Sequence, residues 1–171
     1  MRLSKIKIKQ QINKQQKSSD KMEIYQPAED SYFLSSVLTN YLSGKPKQIK
    51  ILDMGSGSGI QAQTCKKLGF NKILTADINK EAIKNLKKQG FKSVHSDLFS
   101  NINKKEKFDL IIFNPPYLPE HKYDKEKDTT GGKKGFETII RFLNQARKYL
   151  NKNGNILLLF SSFSQPKIII T

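Results

Sequence analysis

Four apolar residues at 110–113 are followed at once by Asn114, Pro115, Pro116 and Tyr117. Proline lacks a backbone N–H and cannot continue a ladder in mid-sheet, so Pro115 and Pro116 end a buried strand in a stiff turn. That stop needs neither the amide nor the aromatic ring. Both are suited to holding a nitrogen that is a poor nucleophile because its lone pair is delocalised, as in an amide or an exocyclic ring amine. The side-chain oxygen of Asn114 and the carbonyl of Pro115 would accept the two hydrogens, aim the lone pair and stabilise the charge that develops. The prolines make this acceptor pair rigid, and Tyr117 offers a face on which a planar group stacks. No strong base is required.

A second group of residues suits a ligand. Asp53 lies near the end of the run "ILDM", which is followed by Gly55, Gly57 and Gly59 in a tight loop that opens a helix. The dinucleotide fingerprint requires G-x-G-x-x-G, but here the third glycine comes one position early and Ile60 takes its place. This disfavours a dehydrogenase. An acid two residues before G-x-G-x-G suits a ligand with an ammonium group near the loop, which S-adenosylmethionine has and a pyrophosphate lacks. Asp77 lies 24 residues beyond Asp53, at the distance where a second-strand carboxylate accepts both hydroxyls of a ribose. Asp97 ends a third run and is placed to accept from an adenine amino group, with the Leu98 N–H donating to the ring. A lone strand-end aspartate also serves as a helix cap, but three in register at one end of a sheet point to a ligand.

The elements that must position these groups are legible as alternation. "IKILDM", "KILTADI", "SVHSDLF", "FDLIIFN" and "NILLLF" read as strands. Helical spacing occupies roughly 58–68, 80–89 and 136–150, the last with Ile139, Ile140, Leu143, Ala146 and Leu150 on one face. A further helix from Pro27 carries Phe33, Leu34, Val37, Leu38, Tyr41 and Leu42 on its apolar face. This order predicts an α/β fold with a doubly wound, mostly parallel sheet, whose ligands bind at the strands' carboxyl ends. Residues 1–21 carry seven basic residues and a single acid, Asp20, without a sustained apolar face. They read as a basic N-terminal arm, flexible in extension, before one domain over 22–171, and Met22 is a second candidate start.

Composition narrows the class. The chain has 171 residues, enough for one core without staples. Cys65 is its only cysteine, and with just His95 and His121 beside it a protein-built zinc site is disfavoured; no metal is expected. Cys65 itself reads as a small core residue, His95 as a strand residue and His121 as a solvated loop residue. No apolar run approaches a membrane span, and the basic, glutamine-rich start is unlike a signal sequence, so the expected location is the cytoplasm. The charge is +16, yet only three of the 31 basic residues are arginine and the lysines are spread along the chain. Such a bias fits either a generally solvated basic surface or attraction to RNA, a ribonucleoprotein or another acidic partner.

With these motifs in place, "D-x-G-S-G-S-G" and "N-P-P-Y" resemble the class I, S-adenosylmethionine-dependent amino methyltransferases, which methylate glutamine amides, adenine N6 or guanine N2. "YQPAEDSYFL" and "GGKKGFETIIRFL" are similar to the archaeal and eukaryotic HemK2-like branch. Those enzymes are protein-glutamine N5-methyltransferases acting on the GGQ loop of peptide release factors. The resemblance covers about residues 23–166. It implies a Rossmann-like class I methyltransferase fold, with cofactor contacts at Ser31, Asp53, Gly55, Gly57, Asp77, Asp97, Leu98 and Asn114. It also implies that Asn114, Pro115, Pro116 and Tyr117 hold the substrate amide.

Two departures stand out. The family often has a tryptophan before the "GG" of the later loop, where this chain reads "DTTGG", and it continues through a helix and a final antiparallel strand pair, where this chain ends at "KIIIT". An apolar fifth strand is therefore expected at an exposed edge, for which a small zinc-binding activator subunit of the family is one cover. Two rival readings remain: a nucleic-acid amino methyltransferase, whose adenine fits the same clamp, and a cofactor-binding protein without catalysis.

Overall fold

The structure is a computed structural model that describes residues 23–116 and 136–161. The arm at 1–21, Tyr117, the loop containing "DTTGG" and the "KIIIT" segment lie outside the described residues. The observed order is α1 (Glu29–Leu42), β1 (Ile51–Met54), α2 (Ile60–Lys67), β2 (Ile73–Asp77), α3 (Lys80–Lys88), β3 (Lys92–His95), β4 (Phe108–Phe113), α4 (Glu137–Ala146), a 3₁₀ turn (Arg147–Tyr149) and β5 (Leu150–Leu158). The five strands pair in the order β3-β2-β1-β4-β5, and each of the four pairings is parallel. The expected doubly wound α/β sheet is therefore what the chain forms.

The central strands read as unbroken apolar runs because both of their faces are covered. Ile51, Leu110 and Ile112 face a cluster with Leu34, Leu38 and Leu42 of α1, Cys65 of α2 and Leu86 of α3. Their chain neighbours Leu52 and Ile111 face a second cluster with Phe99, Ile102, Phe142 and Tyr149. Cys65 is a buried core residue, as its setting in a helical apolar pattern suggested. No helix among the described residues is long and apolar enough to cross a membrane.

Three local expectations are corrected. The helix after the glycine loop begins at Ile60 because Gly59 sits at φ +89° and cannot continue a right-handed turn. In α1 the buried stripe is the i, i+4 line Leu34, Leu38 and Leu42, and Phe33 turns outward at 61% exposure. In α4 the buried face consists of Ile139, Phe142 and Ala146, while Leu150 belongs to β5 because it pairs with Phe108 of β4.

The topology fixes where a ligand must sit. The chain runs outward from β1 to β3 and then returns to place β4 on the other side of β1. The connections leaving β1 and β4 diverge to opposite directions along the sheet, and the crevice opens between their carboxyl ends. The ends of β1 and β4 carry the glycine loop and Asn114 respectively.

Candidate active site

A cleft of about 300 Å³ opens at this switch point, lined by residues that include Ser31, Asp53, Gly55, Gly57, Asp77 and Asn114. Pro115 and Pro116 complete the same wall. The structure thus brings together, at the carboxyl edge of the sheet, residues separated by more than eighty positions in sequence.

Asp53 is 2% exposed and its carboxylate accepts from the Ala62 N–H of α2 at 3.2 Å. Burial pushes its pKa up to about 7, against the pull of the Ala62 N–H and of Ser56, and the nearby Asp77 charge pushes in the same direction as burial. A buried carboxylate raised this far is a candidate counter-ion, since a bound cation restores its charged form. Asp77 is buried at the end of β2; one oxygen accepts from the Gly57 N–H and the other from the Asn79 N–H, both at 2.7 Å. These bonds tie the glycine loop to β2 and fix the carboxylate at the edge of the cleft. Gly57 makes its bond from the left-handed region, at φ +51°. A side chain at Gly59 would be excluded twice over, by its φ and by Leu86 Cδ2 lying 2.7 Å from where a Cβ would stand.

Asn114 is held from an unexpected direction. Its Nδ2 donates to Asp30 Oδ2 at 2.9 Å, and Asp30 Oδ1 accepts from the Tyr25 hydroxyl at 3.0 Å and the Ser31 N–H at 2.7 Å. An ionised carboxylate only accepts, so the Asn114 nitrogen must face it and the amide oxygen is turned away. That oxygen, Oδ1, is buried and has no hydrogen-bond partner among the described residues. Leaving such an acceptor unsatisfied costs about 1–3 kcal/mol, so its retention marks a position where a donor is expected to arrive.

Asp97 and Leu98 stand apart from this group. Asp97 lies outside the cleft lining and pairs with Arg141 at 2.7 Å, its side chain 48% exposed. Leu98 is buried at φ 47°, also outside the lining. His95, at the end of β3, is exposed and its Nε2 contacts the Ile78 carbonyl at 2.8 Å. The sequence reading missed Asp30 and Tyr25 as site residues. Asp30 reads in sequence as an acid in a helix's first turn, complementing the dipole, and Tyr25 precedes any periodic pattern. Only the amide at Asn114, with no visible acid to orient it, hinted that a partner was needed.

With the geometry in view, comparison with known proteins decides the class. Residues 31–170 match the family described as the methyltransferase small domain. The chain belongs to this family. It is 38% identical over 157 residues to a protein of Methanocaldococcus jannaschii provisionally named a protein N5-glutamine methyltransferase, covering 85% of this chain and 76% of that protein. A release factor glutamine methyltransferase of Rhodopirellula baltica is 31% identical over 68% of this chain and 46% of its own length. A ribosomal RNA small subunit methyltransferase of Buchnera aphidicola is 33% identical over 78% of this chain and 36% of its own. The chain thus spans less than half the length of these last two relatives. Among solved structures, a 16S rRNA N2 methyltransferase of Thermus thermophilus with S-adenosylmethionine and guanosine superposes at TM-score 0.63 and 19% identity, covering 85% of this chain and 38% of that one. That likeness shows the class I fold. As a methyltransferase of this family the chain is an S-adenosylmethionine-dependent N-methyltransferase.

The cleft fits that cofactor on its own chemistry. It offers a buried carboxylate of raised pKa for an ammonium and a fixed carboxylate for hydroxyls. The half-exposed apolar side chain of Ile78 offers a surface for a ring.

Proposed function

We propose that this methyltransferase modifies the side-chain amide nitrogen of glutamine in a protein, with a peptide release factor as the substrate. The observation that carries this reading is the amide of Asn114: its nitrogen fixed on Asp30, its oxygen buried and lacking a donor among the described residues, at the rim of the cofactor cleft. A glutamine amide supplies the missing N–H. When bound, S-adenosylmethionine supplies an electrophilic methyl group on a sulfonium. Asp53 would hold its ammonium, Asp77 its ribose and Ile78 one ring face, beside Ser31, Gly55 and Gly57. Asp97 and Leu98 stay in the proposal as an adenine contact, which requires Asp97 to exchange Arg141 for the ring. Asn114 Oδ1 and the Pro115 carbonyl accept the substrate hydrogens, and Pro116 and Tyr117 complete the wall. Asp30 keeps the Asn114 amide from flipping, which would present a donor where an acceptor is required.

Charge supports a protein over a nucleic-acid acceptor at this cleft. Eight of the ten acids among the described residues lie at the carboxyl edge of the sheet and on the helix starts that face it, Glu23, Glu29 and Glu81 among them. Among the described residues this edge carries those eight acids against Lys80, Lys84 and Arg141, a net negative charge that disfavours a polyanion. Incubation with radiolabelled S-adenosylmethionine, with release factor, RNA and DNA offered separately, tests the reading. Label should enter the release factor and be lost when the glutamine of its GGQ loop becomes alanine; label on nucleic acid alone sinks it. An activator subunit with a zinc site is part of the same proposal and should raise the rate when added.

A further inference from the structure

The fold sorts the charges of this chain by edge. In a parallel sheet every strand starts on one side, and each helix returning the chain to a strand ends there. On this molecule all five strand starts carry basic side chains. Lys45, Lys47 and Lys50 precede β1, and Lys66, Lys67 and Lys72 surround the turn into β2. Lys87, Lys88 and Lys92 lead into β3, and Lys104, Lys105 and Lys107 into β4. Arg147, Lys148 and Lys152 flank the start of β5. Fifteen of the eighteen basic residues among the described residues therefore gather at the edge opposite the cleft. The two acids there are both engaged. Glu106 pairs with Lys50, and Asp109 accepts from the Lys50 N–H at 2.7 Å and from Asn151 at 2.6 Å.

Helix dipoles explain only part of this. Lys66 and Lys67 end α2, and Lys87 and Lys88 end α3, where cations are favoured. Arg147 and Lys148 likewise close α4 and its 3₁₀ turn; the other nine lie in loops and strand starts that no dipole requires. Four heads are also positioned: Lys45, Lys47, Lys50 and Lys66 rest over the rings of Tyr41, Phe70, Phe108 and Phe91, at 4.3 to 5.4 Å from the centroids. The rings hold the stems while the charges stay at the surface.

We propose that this edge is a docking surface for the sugar–phosphate backbone of folded RNA, separate from the methyl-acceptor cleft. Five strands about 4.8 Å apart make a row of charge about 19 Å wide, set about 15 Å from the cleft by the length of the strands. Lysines with one arginine bind phosphates as point charges and do not read bases. The surface is built from short connections, with no projecting helix or ribbon among the described residues to enter the major groove of B-DNA. A bilayer is disfavoured because the exposed large apolar side chains among the described residues, Tyr32, Phe33 and Ile78, all lie at the cleft edge.

The test is fluorescence anisotropy of the full chain with a labelled RNA hairpin across a salt series. Two variants of equal charge change are compared: Lys72, Lys92, Lys104 and Lys105 to Glu at the edge, and Lys5, Lys7, Lys9 and Lys14 to Glu in the arm. Calorimetry with S-adenosylhomocysteine verifies folding, and glutamine replaces glutamate if a variant fails it. The edge variant should lose at least about tenfold in affinity, with its log–log salt slope flatter by about three, and the arm variant should lose less than about threefold. No RNA binding at low salt, equal loss in both variants, or tighter binding to duplex DNA, phosphatidylserine vesicles or polyglutamate would each overturn the proposal.

Discussion

Asp30 is the residue on which the proposed acceptor site turns, because its bond to Asn114 decides which end of that amide is turned away from Asp30. Asp30→Asn keeps the volume but can donate, so the Asn114 amide is free to flip. Turnover should fall about ten- to a hundredfold while the dissociation constant for S-adenosylhomocysteine changes little, a split that initial rates and calorimetry separate. An equal fall in both would make Asp30 a folding residue. Asp53 predicts a pH dependence. Its pKa is about 7 in the folded chain against an ordinary value of 3.8, so between these values the native state binds more protons than the unfolded one. The stability this contributes is fully present below the unfolded pKa and is lost as pH rises through about 7, amounting to a few kcal/mol at most. Ligand affinity should move oppositely, because an ammonium needs the ionised carboxylate: binding of S-adenosylhomocysteine should strengthen up to about tenfold per pH unit approaching 7 and then level off. Asp77 at the end of β2 and the Cys65 thiol, pushed up to about 12 mainly by burial, are its titratable neighbours. Asp53→Asn should abolish both slopes, and a slope that survives would place the titrating group elsewhere.

At the scale of elements, the site depends on how α1, α2 and α3 are seated on one face of the sheet. Leu38 of α1 is fully buried against that face, and α1 carries Asp30 and Ser31 at its start. Leu38→Ala should cost about 2–5 kcal/mol, and urea unfolding followed by circular dichroism measures it. The junction of the glycine loop and α2 is less forgiving. Gly59→Ala meets both a left-handed φ and Leu86 Cδ2 at 2.7 Å, so it should destabilise by about 1–3 kcal/mol and weaken cofactor affinity together. Gly44, also at positive φ, has nothing within 4 Å of its would-be Cβ. Gly44→Ala therefore separates backbone strain from crowding and should cost less.

At the scale of the molecule, the described residues separate their charge by edge. Basic side chains concentrated at the strand-start edge repel one another, and salt screens that repulsion within about 10 Å at 0.1 M. The melting temperature should therefore rise by several degrees between low and moderate sodium chloride, as differential scanning fluorimetry would show. A fall would mean that attraction between the two edges outweighs repulsion within one. Among the described residues β5 is one of the two edge strands, opposite β3, and Ile156, Leu157 and Leu158 are half-buried on it. The exposed-edge expectation rests on this strand, and light scattering of the purified chain should register self-association that a covering partner relieves.

The sequence by itself determined the alternation of strands and helices, because apolar period and glycine punctuation are local. It also determined the residue types at the strand ends, because Asp53, Asp77 and Asn114 each close an apolar run. It could not determine what those side chains face. Asp30 and Asn114 are 84 positions apart, and their bond exists only because α1 and β4 converge on the switch point. Asp97 carries the same strand-end signature as Asp77, but the turn after β3 leads it to Arg141 instead. The lysines are scattered in sequence and become an edge only in a parallel sheet, whose single direction brings every strand start to the same side. Long-range proximity is a property of topology, and a one-dimensional pattern does not contain it.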